Sequence, residues 1–272
     1  SVEYNLNGGG WQTATGTSNW TVPLDPLSDG LAQTFSMRAT DNAGNVSASV
    51  DRTFDVDLAA PTLTETDSGI AGASVVYRNA SVTLGGDASD GNGVTSVVVT
   101  YSKDGGAQQV LLNDTSPGDG PDDMDGTADD DTWTTTLPAN PDHSDDGAYE
   151  ITVTATDEVG KTSSFTRNIV LDTARPDVTI TEPAADELVD GTSYTIRGQV
   201  TDNGGRGVAT LEYSRDSTNG SDGTWTTIPL SGLNWSVAGV DFSDGGVQGA
   251  KTLWVRANDG LNPNQAVSVS FN

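Results

Sequence analysis

The sequence predicts an all-β fold made of tandem Greek-key β-sandwich domains. A strand-and-turn phrase occurs three times, at residues 35–45, 151–160 and 253–262, and each copy alternates apolar and polar residues before an Asp. Strict alternation is the pattern of a strand with one buried face, and the Asp favours a turn after it. The copies recur at about the length of one sandwich domain, near 100 residues. The 272 residues include 32 Gly and 11 Pro and show no helical periodicity, which agrees with an all-β chain.

Two proline-containing junctions are expected to divide the chain into three domains. Residues 56–61 (Val-Asp-Leu-Ala-Ala-Pro) and 171–176 (Leu-Asp-Thr-Ala-Arg-Pro) each follow an alternating strand and place Pro four residues after an Asp. Because Pro keeps the preceding residue extended, each junction should be a short, stiff connector. We therefore predict domains at residues 1–57, 58–173 and 174–272.

The first domain is expected to be incomplete. Residues 81–90 align with 193–202, and the second and third domains each contain seven predicted strands. The chain instead begins at Val2-Glu-Tyr4, which aligns with Leu211-Glu-Tyr213 in the third strand of its domain. Strands A and B would then be absent. Either an arbitrary boundary removes them, which we favour, or another polypeptide chain supplies them by strand addition.

The tryptophans follow the repeat. Trp20, Trp133 and Trp235 fall at the same strand position of the three domains and are predicted to pack in the cores. Trp11 and Trp225 also correspond, each after a Gly-rich hairpin. A placement repeated between domains favours a structural role over carbohydrate stacking.

Charge and composition exclude several function classes. The chain has 39 acidic and 12 basic residues, a net charge of −27 and no Cys. Such a charge repels nucleic acid and anionic membranes, and disulfide or thiolate chemistry is not available. The one His, His143, lies in a polar loop, and no catalytic motif is present. We therefore predict neither nucleic-acid binding, nor direct membrane contact, nor catalysis.

The acidic residues predict calcium sites in loops. Eight Asp fall between Asp114 and Asp131 without a basic residue, and Asp123-Met-Asp125-Gly126 alternates acid and ends in Gly as calcium loops do. Two carboxylates about 4 Å apart repel by roughly 4 kcal/mol at an effective dielectric near 20, so a compact loop of this kind needs a cation. The alternative is a disordered, solvated acidic loop.

Strand parity predicts where the acids meet. In a seven-strand sandwich the B–C, D–E and F–G loops share the pole at which the chain enters, together with the incoming linker. Acids in those positions should converge at the two junctions and hold Ca²⁺. The predicted ligands at the first junction are Asp55, Asp57, Asp90, Asp119, Asp122, Asp123, Asp125, Asp129 and Asp157. Those at the second are Asp172, Asp202 and Asp259, with Asp142, Asp145 or Asp146 as further candidates.

The residues resemble bacterial immunoglobulin-like tandem repeats of large surface adhesins and secreted proteins. The resemblance lies in residues 39–47 (Ala-Thr-Asp-Asn-Ala-Gly-Asn-Val-Ser), in the Asp-x-x-x-Pro linkers, and in residues 2–11 (Val-Glu-Tyr-Asn-Leu-Asn-Gly-Gly-Gly-Trp). It implies tandem Ig-like sandwiches at the surface of a bacterial cell or outside it. The partners it implies are neighbouring Ig-like domains, with a second chain as the alternative source of the missing strands.

Three functions remain open at this point. The first is a non-catalytic stalk or spacer segment of a surface adhesin, made rigid by Ca²⁺ at its loops and junctions. The second is a set of accessory carbohydrate-binding modules of a secreted glycan-degrading enzyme. The third is an S-layer or filament subunit whose first domain a neighbour completes. One fold hosts many roles, so the sequence does not choose among them.

Overall fold

The computed structural model is all-β and describes residues 1–66, 75–115, 131–190, 192–246, 248–263 and 265–272. It contains 21 strands in these ranges, and none of the described residues is helical. No helix in the described ranges is therefore long and apolar enough to cross a membrane.

The first group of strands forms one four-stranded sheet and a small two-stranded ladder. The strands are β1 (Val2–Leu6), β2 (Gln12–Thr13), β3 (Thr15–Gly16), β4 (Trp20–Thr21), β5 (Gly30–Ala39) and β6 (Val50–Val56). The sheet has the antiparallel order β2-β1-β5-β6, and β3 pairs only with β4.

The middle sandwich has two facing sheets. Its strands are β7 (Thr62–Leu63), β8 (Val76–Arg78), β9 (Val82–Ser89), β10 (Val94–Lys103), β11 (Gln109–Asp114), β12 (Asp131–Leu137), β13 (Gly147–Asp157) and β14 (Thr162–Leu171). The sheet orders are β11-β10-β13-β14-β8 and β12-β9-β7. The first predicted strand is divided between the sheets, because β7 pairs antiparallel with β9 while β8 pairs parallel with β14. This division makes eight strands where seven were predicted.

The third sandwich contains the seven predicted strands. They are β15 (Asp177–Glu182), β16 (Tyr194–Thr201), β17 (Thr210–Ser214), β18 (Thr226–Thr227), β19 (Asn234–Val240), β20 (Lys251–Asn258) and β21 (Gln265–Phe271). Their orders, β15-β16-β19 and β18-β17-β20-β21, repeat those of the middle sandwich. The all-β, Ig-like fold is therefore the one that the sequence predicts.

The repeated phrase supplies the centre of each complete core. Its apolar residues in the second copy, Ile151, Val153 and Ala155, are at most 1% exposed. Leu253 and Val255 of the third copy are fully buried. Two separate hydrophobic clusters result, one within each complete sandwich. Burying an apolar side chain of this size stabilises the fold by about 1.5–3 kcal/mol, so these strands contribute much of the stability of each domain.

The prediction that Trp20 is buried is wrong. Trp133 and Trp235 are 2% and 3% exposed, as predicted, whereas Trp20 is 43% exposed. The reason is the absence, among the described residues, of a second sheet over β1, β5 and β6. Trp20 instead lines an open groove of about 430 Å³ together with apolar side chains such as Phe35 and Met37.

Candidate metal centres

Two clusters of three aspartates lie at equivalent places in the middle and third sandwiches. The first centre consists of Asp57, Asp90 and Asp157, and the second of Asp172, Asp202 and Asp259. In each centre, the ligand atoms of the three carboxylates lie within 4.8 Å of one another.

Strand topology explains why these residues meet. Within each centre, one Asp lies directly after the last strand of the preceding group, where the linker begins. The second follows β9 or β16 in the B–C loop, and the third lies at the end of β13 or just after β20, where the F–G loop begins. These three segments share one pole of the sandwich, so alignment of the strands brings their acids together. The predicted convergence of linker, B–C loop and F–G loop is thus observed at both junctions.

In the first centre, each loop aspartate uses one oxygen to form its own loop. Asp90 Oδ1 accepts the backbone N–H of Asn92 at 2.9 Å, and Asp157 Oδ1 accepts those of Val159 and Lys161 at 2.9 and 2.8 Å. Bonds from a short carboxylate to backbone two to four residues later are typical of Asx turns. The local sequence therefore fixes the orientation of these carboxylates without any metal.

The second oxygen of each carboxylate in the first centre is unpaired. Oδ2 of Asp57, Asp90 and Asp157 is buried and has no hydrogen-bond partner among the described residues. Exposure is 8% for residue Asp90, 1% for residue Asp157 and 3% for the side chain of Asp57. A buried charged oxygen without a partner costs free energy, and the three carboxylates also lie close enough to repel one another. This arrangement is the one that a bound cation stabilises.

One ammonium group and one side-chain amide also connect the linker to the loops of the first centre. Lys161 Nζ lies 3.2 Å from Asp57 Oδ1 and 2.5 Å from the carbonyl oxygen of Asp57. Asn92 Nδ2 donates to the carbonyl oxygen of Val56 at 3.1 Å. Both contacts join the end of β6 to loops of the middle sandwich.

The second centre is more completely hydrogen-bonded. Asn262 Nδ2 donates to the carbonyl oxygens of Asp172 and Ala174 at 3.0 and 2.7 Å, and to Asp259 Oδ2 at 2.8 Å. Asp259 Oδ1 accepts the N–H groups of Leu261 and Asn262 at 2.6 and 2.7 Å. The amide of Asn262 thus joins the linker to the F–G loop.

The B–C loop completes the second centre. Arg206 N–H donates to Asp172 Oδ2 at 2.8 Å, and Gly204 N–H donates to Asp202 Oδ1 at 3.0 Å. A Cβ at position 204 would overlap the carboxylate of Asp172, so glycine is required for this close approach. Oδ2 of Asp202 is the buried oxygen that lacks a partner among the described atoms of this centre.

Electrostatics at the second centre favour a cation or a proton. Burial, with the nearby charges of Asp202, Asp259 and Asp146, raises the pKa of Asp172, and the N–H of Arg206 opposes that rise. Burial and the charges of Asp259 and Asp146 raise the pKa of Asp202 in the same way. Each carboxylate is thus destabilised in its charged form, and a positive ion between them would remove that penalty.

The donor set fits a hard divalent cation. The candidate ligand atoms are carboxylate oxygens, which bind Ca²⁺ and Mg²⁺ rather than softer metals. Ca²⁺ binds oxygen at 2.3–2.6 Å, so two ligands of one ion lie at most about 5 Å apart. Carboxylate oxygens within 4.8 Å of one another can therefore share one Ca²⁺ in both centres.

The structure places the other predicted ligands differently. Asp55 is outside both centres, and its Oδ1 accepts the N–H of Ala32 at 2.7 Å. Asp146 is close to the second centre, but its carboxylate accepts hydrogen bonds from Thr173 N–H, Thr173 Oγ1 and Ala174 N–H. The predicted ligands Asp119, Asp122, Asp123, Asp125 and Asp129 lie outside the described residues.

Sequence reasoning missed Lys161 and Asn262. Both follow the Asp of the repeated phrase, by four and three residues, and their side chains return to the linker. Their position after the Asp could have identified them in the sequence. Asn45 likewise follows Asp41 by four residues, and it donates to the carboxylate of Asp41 at 2.9 Å. Each copy therefore has a polar residue three or four positions after its Asp, and the side chain of that residue contacts an acid or the linker.

The edge tryptophans Trp11 and Trp225 occupy equivalent places, as predicted. Arg38 lies over the Trp11 ring at 4.1 Å from its centroid, and Arg256 lies over the Trp225 ring at 4.0 Å. Each guanidinium also contacts a Glu on the neighbouring strand at 2.8 Å, Glu3 in the first sheet. An Arg on one ring face favours a structural role for these tryptophans, because it occupies a face that a sugar would stack on.

One family model matches the third sandwich. Residues 176–266 match the family model described as "Bacterial Ig domain". No curated protein matches the chain.

Several solved structures resemble the chain at low sequence identity. The tetra-tandem repeat in the extending region of a large adhesion protein is 21% identical, with 99% of this chain and 65% of that chain covered and a TM-score of 0.35. The D00-D0 domain of intimin is 15% identical, with 78% and 100% covered and a TM-score of 0.36. A tandem of titin Ig domains is 14% identical, with 78% and 96% covered and a TM-score of 0.32. At these identities and TM-scores, the similarities support no assignment of function.

The two complete sandwiches share strand order, core positions and an acidic centre at the pole where the chain enters. The sequence resemblance to bacterial immunoglobulin-like repeats is confirmed over residues 176–266. The third sandwich therefore matches the bacterial Ig domain model, and the middle sandwich repeats its strand order.

Proposed function

We propose that this chain is a non-catalytic stalk or spacer segment of a bacterial surface protein, an adhesin, whose junctions Ca²⁺ makes rigid. The observation that carries the proposal is the pair of equivalent aspartate centres, each built from a linker and two loops of the following sandwich. An ion bound there would contact both sides of a junction at once. Catalytic function has no comparable support in the described residues.

The cation would act by fixing the linker against the sandwich. In the first centre it would replace repulsion between three buried carboxylates with attraction to one positive ion. It would also bind the unpaired oxygens of Asp57, Asp90 and Asp157. Since Asp57 belongs to the linker and the other two to loops, the joint loses freedom when the ion binds.

The environment of a surface protein would fill such sites. Extracellular modules bind Ca²⁺ with dissociation constants of about 10⁻⁴ to 10⁻³ M, which suffices outside the cell. Bound Ca²⁺ would also reduce self-repulsion in a chain of net charge −27. A location at the cell surface therefore suits both the family and the proposed ion.

The test is calorimetric titration of the chelator-treated chain with Ca²⁺, using Asp→Asn variants. Asn keeps the Oδ1 acceptor that forms the loop and removes the charge that faces the centre. Asp90→Asn should abolish binding at the first centre, and Asp202→Asn should abolish binding at the second, within the range of about 10⁻⁴ to 10⁻³ M.

The matched control is Asp51→Asn, which removes one charge from an exposed strand residue. This variant should bind Ca²⁺ as the unchanged chain does. Equal Ca²⁺ binding by all three variants would contradict the proposed centres and would leave only a solvated acidic surface.

A further inference from the structure

A lysine ammonium group contacts one aspartate of the first centre, Asp57. Lys161 Nζ contacts both the carboxylate and the carbonyl oxygen of Asp57, at 3.2 and 2.5 Å. The side chain of Asp57 is 3% exposed, whereas that of Lys161 is 34% exposed. The lysine therefore reaches inward with its charged end while part of its side chain remains in solvent.

The equivalent positions carry neutral amides. Lys161 and Asn45 each lie four residues after the Asp of their repeated phrase, and each carbonyl oxygen accepts the N–H of that Asp at 3.0 Å. In the third sandwich, Asn262 donates its amide to Asp259. Of these three positions, only Lys161 brings a full positive charge to the acidic group.

We propose that Lys161 is a tethered competitor of the cation at the first centre. This inference rests on the proposed function, because it concerns the same calcium site. The ammonium pairs with Oδ1 of the carboxylate whose unpaired Oδ2 would bind the ion. An ion at Oδ2 would lie close to the ammonium at Oδ1, and like charges at such distances repel strongly. Lys161 must therefore swing out toward solvent when Ca²⁺ enters.

Competition gives the first joint a weaker connection without Ca²⁺, through one partly exposed lysine, and a stronger connection with it. At low Ca²⁺, Lys161 connects the F–G loop to the linker through Asp57. At high Ca²⁺, the ion makes that connection. The second centre has no lysine in this place, so its ion meets no tethered competitor, and the two joints should respond at different Ca²⁺ concentrations.

The first experiment measures Ca²⁺ affinity at the first centre alone. Asp202→Asn provides a background in which the second centre is silenced. In that background, Lys161→Met should bind Ca²⁺ about three- to tenfold more tightly, because the ion no longer displaces an ion pair. Lys251→Met is the matched control, since it removes one positive charge beside Asp244, outside both centres. Its affinity should change by less than about twofold, because screening weakens the effect of distant charges.

The second experiment observes the lysine directly. The chain has three lysines, Lys103, Lys161 and Lys251, so selective isotope labelling gives three side-chain signals in NMR spectra. In the Asp202→Asn background, Ca²⁺ should shift the Lys161 signal toward that of a solvated lysine and leave the Lys251 signal in place.

The outcomes separate the two proposals. If Ca²⁺ binds but Lys161→Met binds it no more tightly than Lys251→Met, the competitor is disproved and the calcium site stands. A Lys161 signal that does not move while Ca²⁺ binds also disproves the competitor and leaves the calcium site standing. If the Asp202→Asn chain and its Lys161→Met derivative both fail to bind Ca²⁺, both proposals are overturned.

Discussion

At the scale of single residues, each loop aspartate of the first centre has two separate tasks. Oδ1 of Asp90 and of Asp157 accepts backbone N–H groups and shapes the loop. Oδ2 of the same residues is buried, unpaired within the described structure, and available to an ion. A short side chain is needed for both tasks, because the loop bond fixes the carboxylate within one turn. Glu at either position would place its carboxylate one methylene farther from the backbone.

The second centre should make stability depend on pH in the absence of metal. The pKa values of Asp172 and Asp202 are raised above 3.8, mainly by burial. A raised folded-state pKa means that the folded form binds the proton more tightly than the unfolded form does. The stability from this proton binding is fully present below pH 3.8 and is lost as pH rises through the raised pKa.

Thermal melting of the third sandwich in chelator and in Ca²⁺ checks this expectation. In chelator, the contribution of these two groups should fall as pH rises from about 3.8 toward neutrality. In Ca²⁺ the fall should disappear, because the ion takes the place of the proton. The Asp172→Asn, Asp202→Asn double variant is the control. Its pH dependence of melting should be the same in chelator and in Ca²⁺. If, in chelator, the melting temperature of the unchanged chain and that of the double variant depend on pH in the same way, the expectation is contradicted.

The sequence predicted the acids of both centres but not the groups around them. Asp57, Asp90 and Asp157 each lie at a strand end, so the strand order sufficed to bring them together. Lys161 and Asn262 reach residues about 90 to 100 positions away in the chain, and no local pattern encodes such contacts. The side chain of Asp55 turns to the backbone N–H of Ala32 instead, and a pattern of acids does not distinguish the two uses.

At the scale of strands, a tryptophan and a glycine form a repeated pair. Trp133 lies opposite Gly86, and Trp235 lies opposite Gly198, on adjacent strands. A Cβ at Gly198 would overlap the carbonyl oxygen of Thr179 and the indole of Trp235. The missing side chain lets β15 approach and gives the ring its space. Sequence alignment shows the two glycines, but their purpose is visible only when the strands are paired.

Gly198→Ala should therefore destabilise the third sandwich. Overpacking in a filled core costs about 1–3 kcal/mol, and here the obstacle is rigid backbone and ring, so the upper end is expected. Chemical denaturation measures the change. Gly91→Ala is the control, because a Cβ there meets nothing within 4 Å and its backbone needs no positive φ. A Gly198→Ala variant as stable as the control would disprove the pairing.

Trp133→Ala and Trp20→Ala should differ sharply. Removing a buried Trp costs about 3–5 kcal/mol, and Trp133 is 2% exposed. Trp20 is 43% exposed and stands on the small β3–β4 ladder, so its loss should cost less than about 1 kcal/mol. Denaturation followed by fluorescence would show the loss of the middle-sandwich transition for Trp133→Ala alone. Equal losses of stability in the two variants would mean that Trp20 contributes to a packed core, which would contradict its exposed position.

At the scale of the whole molecule, the two junctions differ in the contacts that hold them without a metal. Asp146 accepts hydrogen bonds from linker residue Thr173, and Asn79 donates to the carbonyl oxygen of Leu261 at 2.9 Å. Arg206 also lies 4.9 Å from the centroid of the Tyr77 ring, a cation–π contact between the middle and third sandwiches. These contacts need no metal. At the first junction, the contacts described are those of the linker with Lys161, Asn92 and Asp29.

This difference predicts that chelation loosens the first junction more than the second. The second retains hydrogen bonds from both neighbouring sandwiches and a cation–π contact when the ion is removed. Among the described residues, the first retains contacts of the linker itself, including that of the partly exposed Lys161, beside three carboxylates that lie close together. Calcium should therefore matter most for the angle between the first group of strands and the middle sandwich.

The most direct measurement is the distribution of distances between spin labels across each junction, with Ca²⁺ and with chelator. The chain has no Cys, so labels can be placed at will. Exposed strand positions serve: Thr13→Cys with Thr166→Cys across the first junction, and Thr166→Cys with Thr227→Cys across the second. Ca²⁺ should narrow the first distribution clearly and the second slightly, and Asp90→Asn should prevent the narrowing at the first. Distributions of equal width in Ca²⁺ and in chelator at both junctions would contradict a stalk made rigid by calcium.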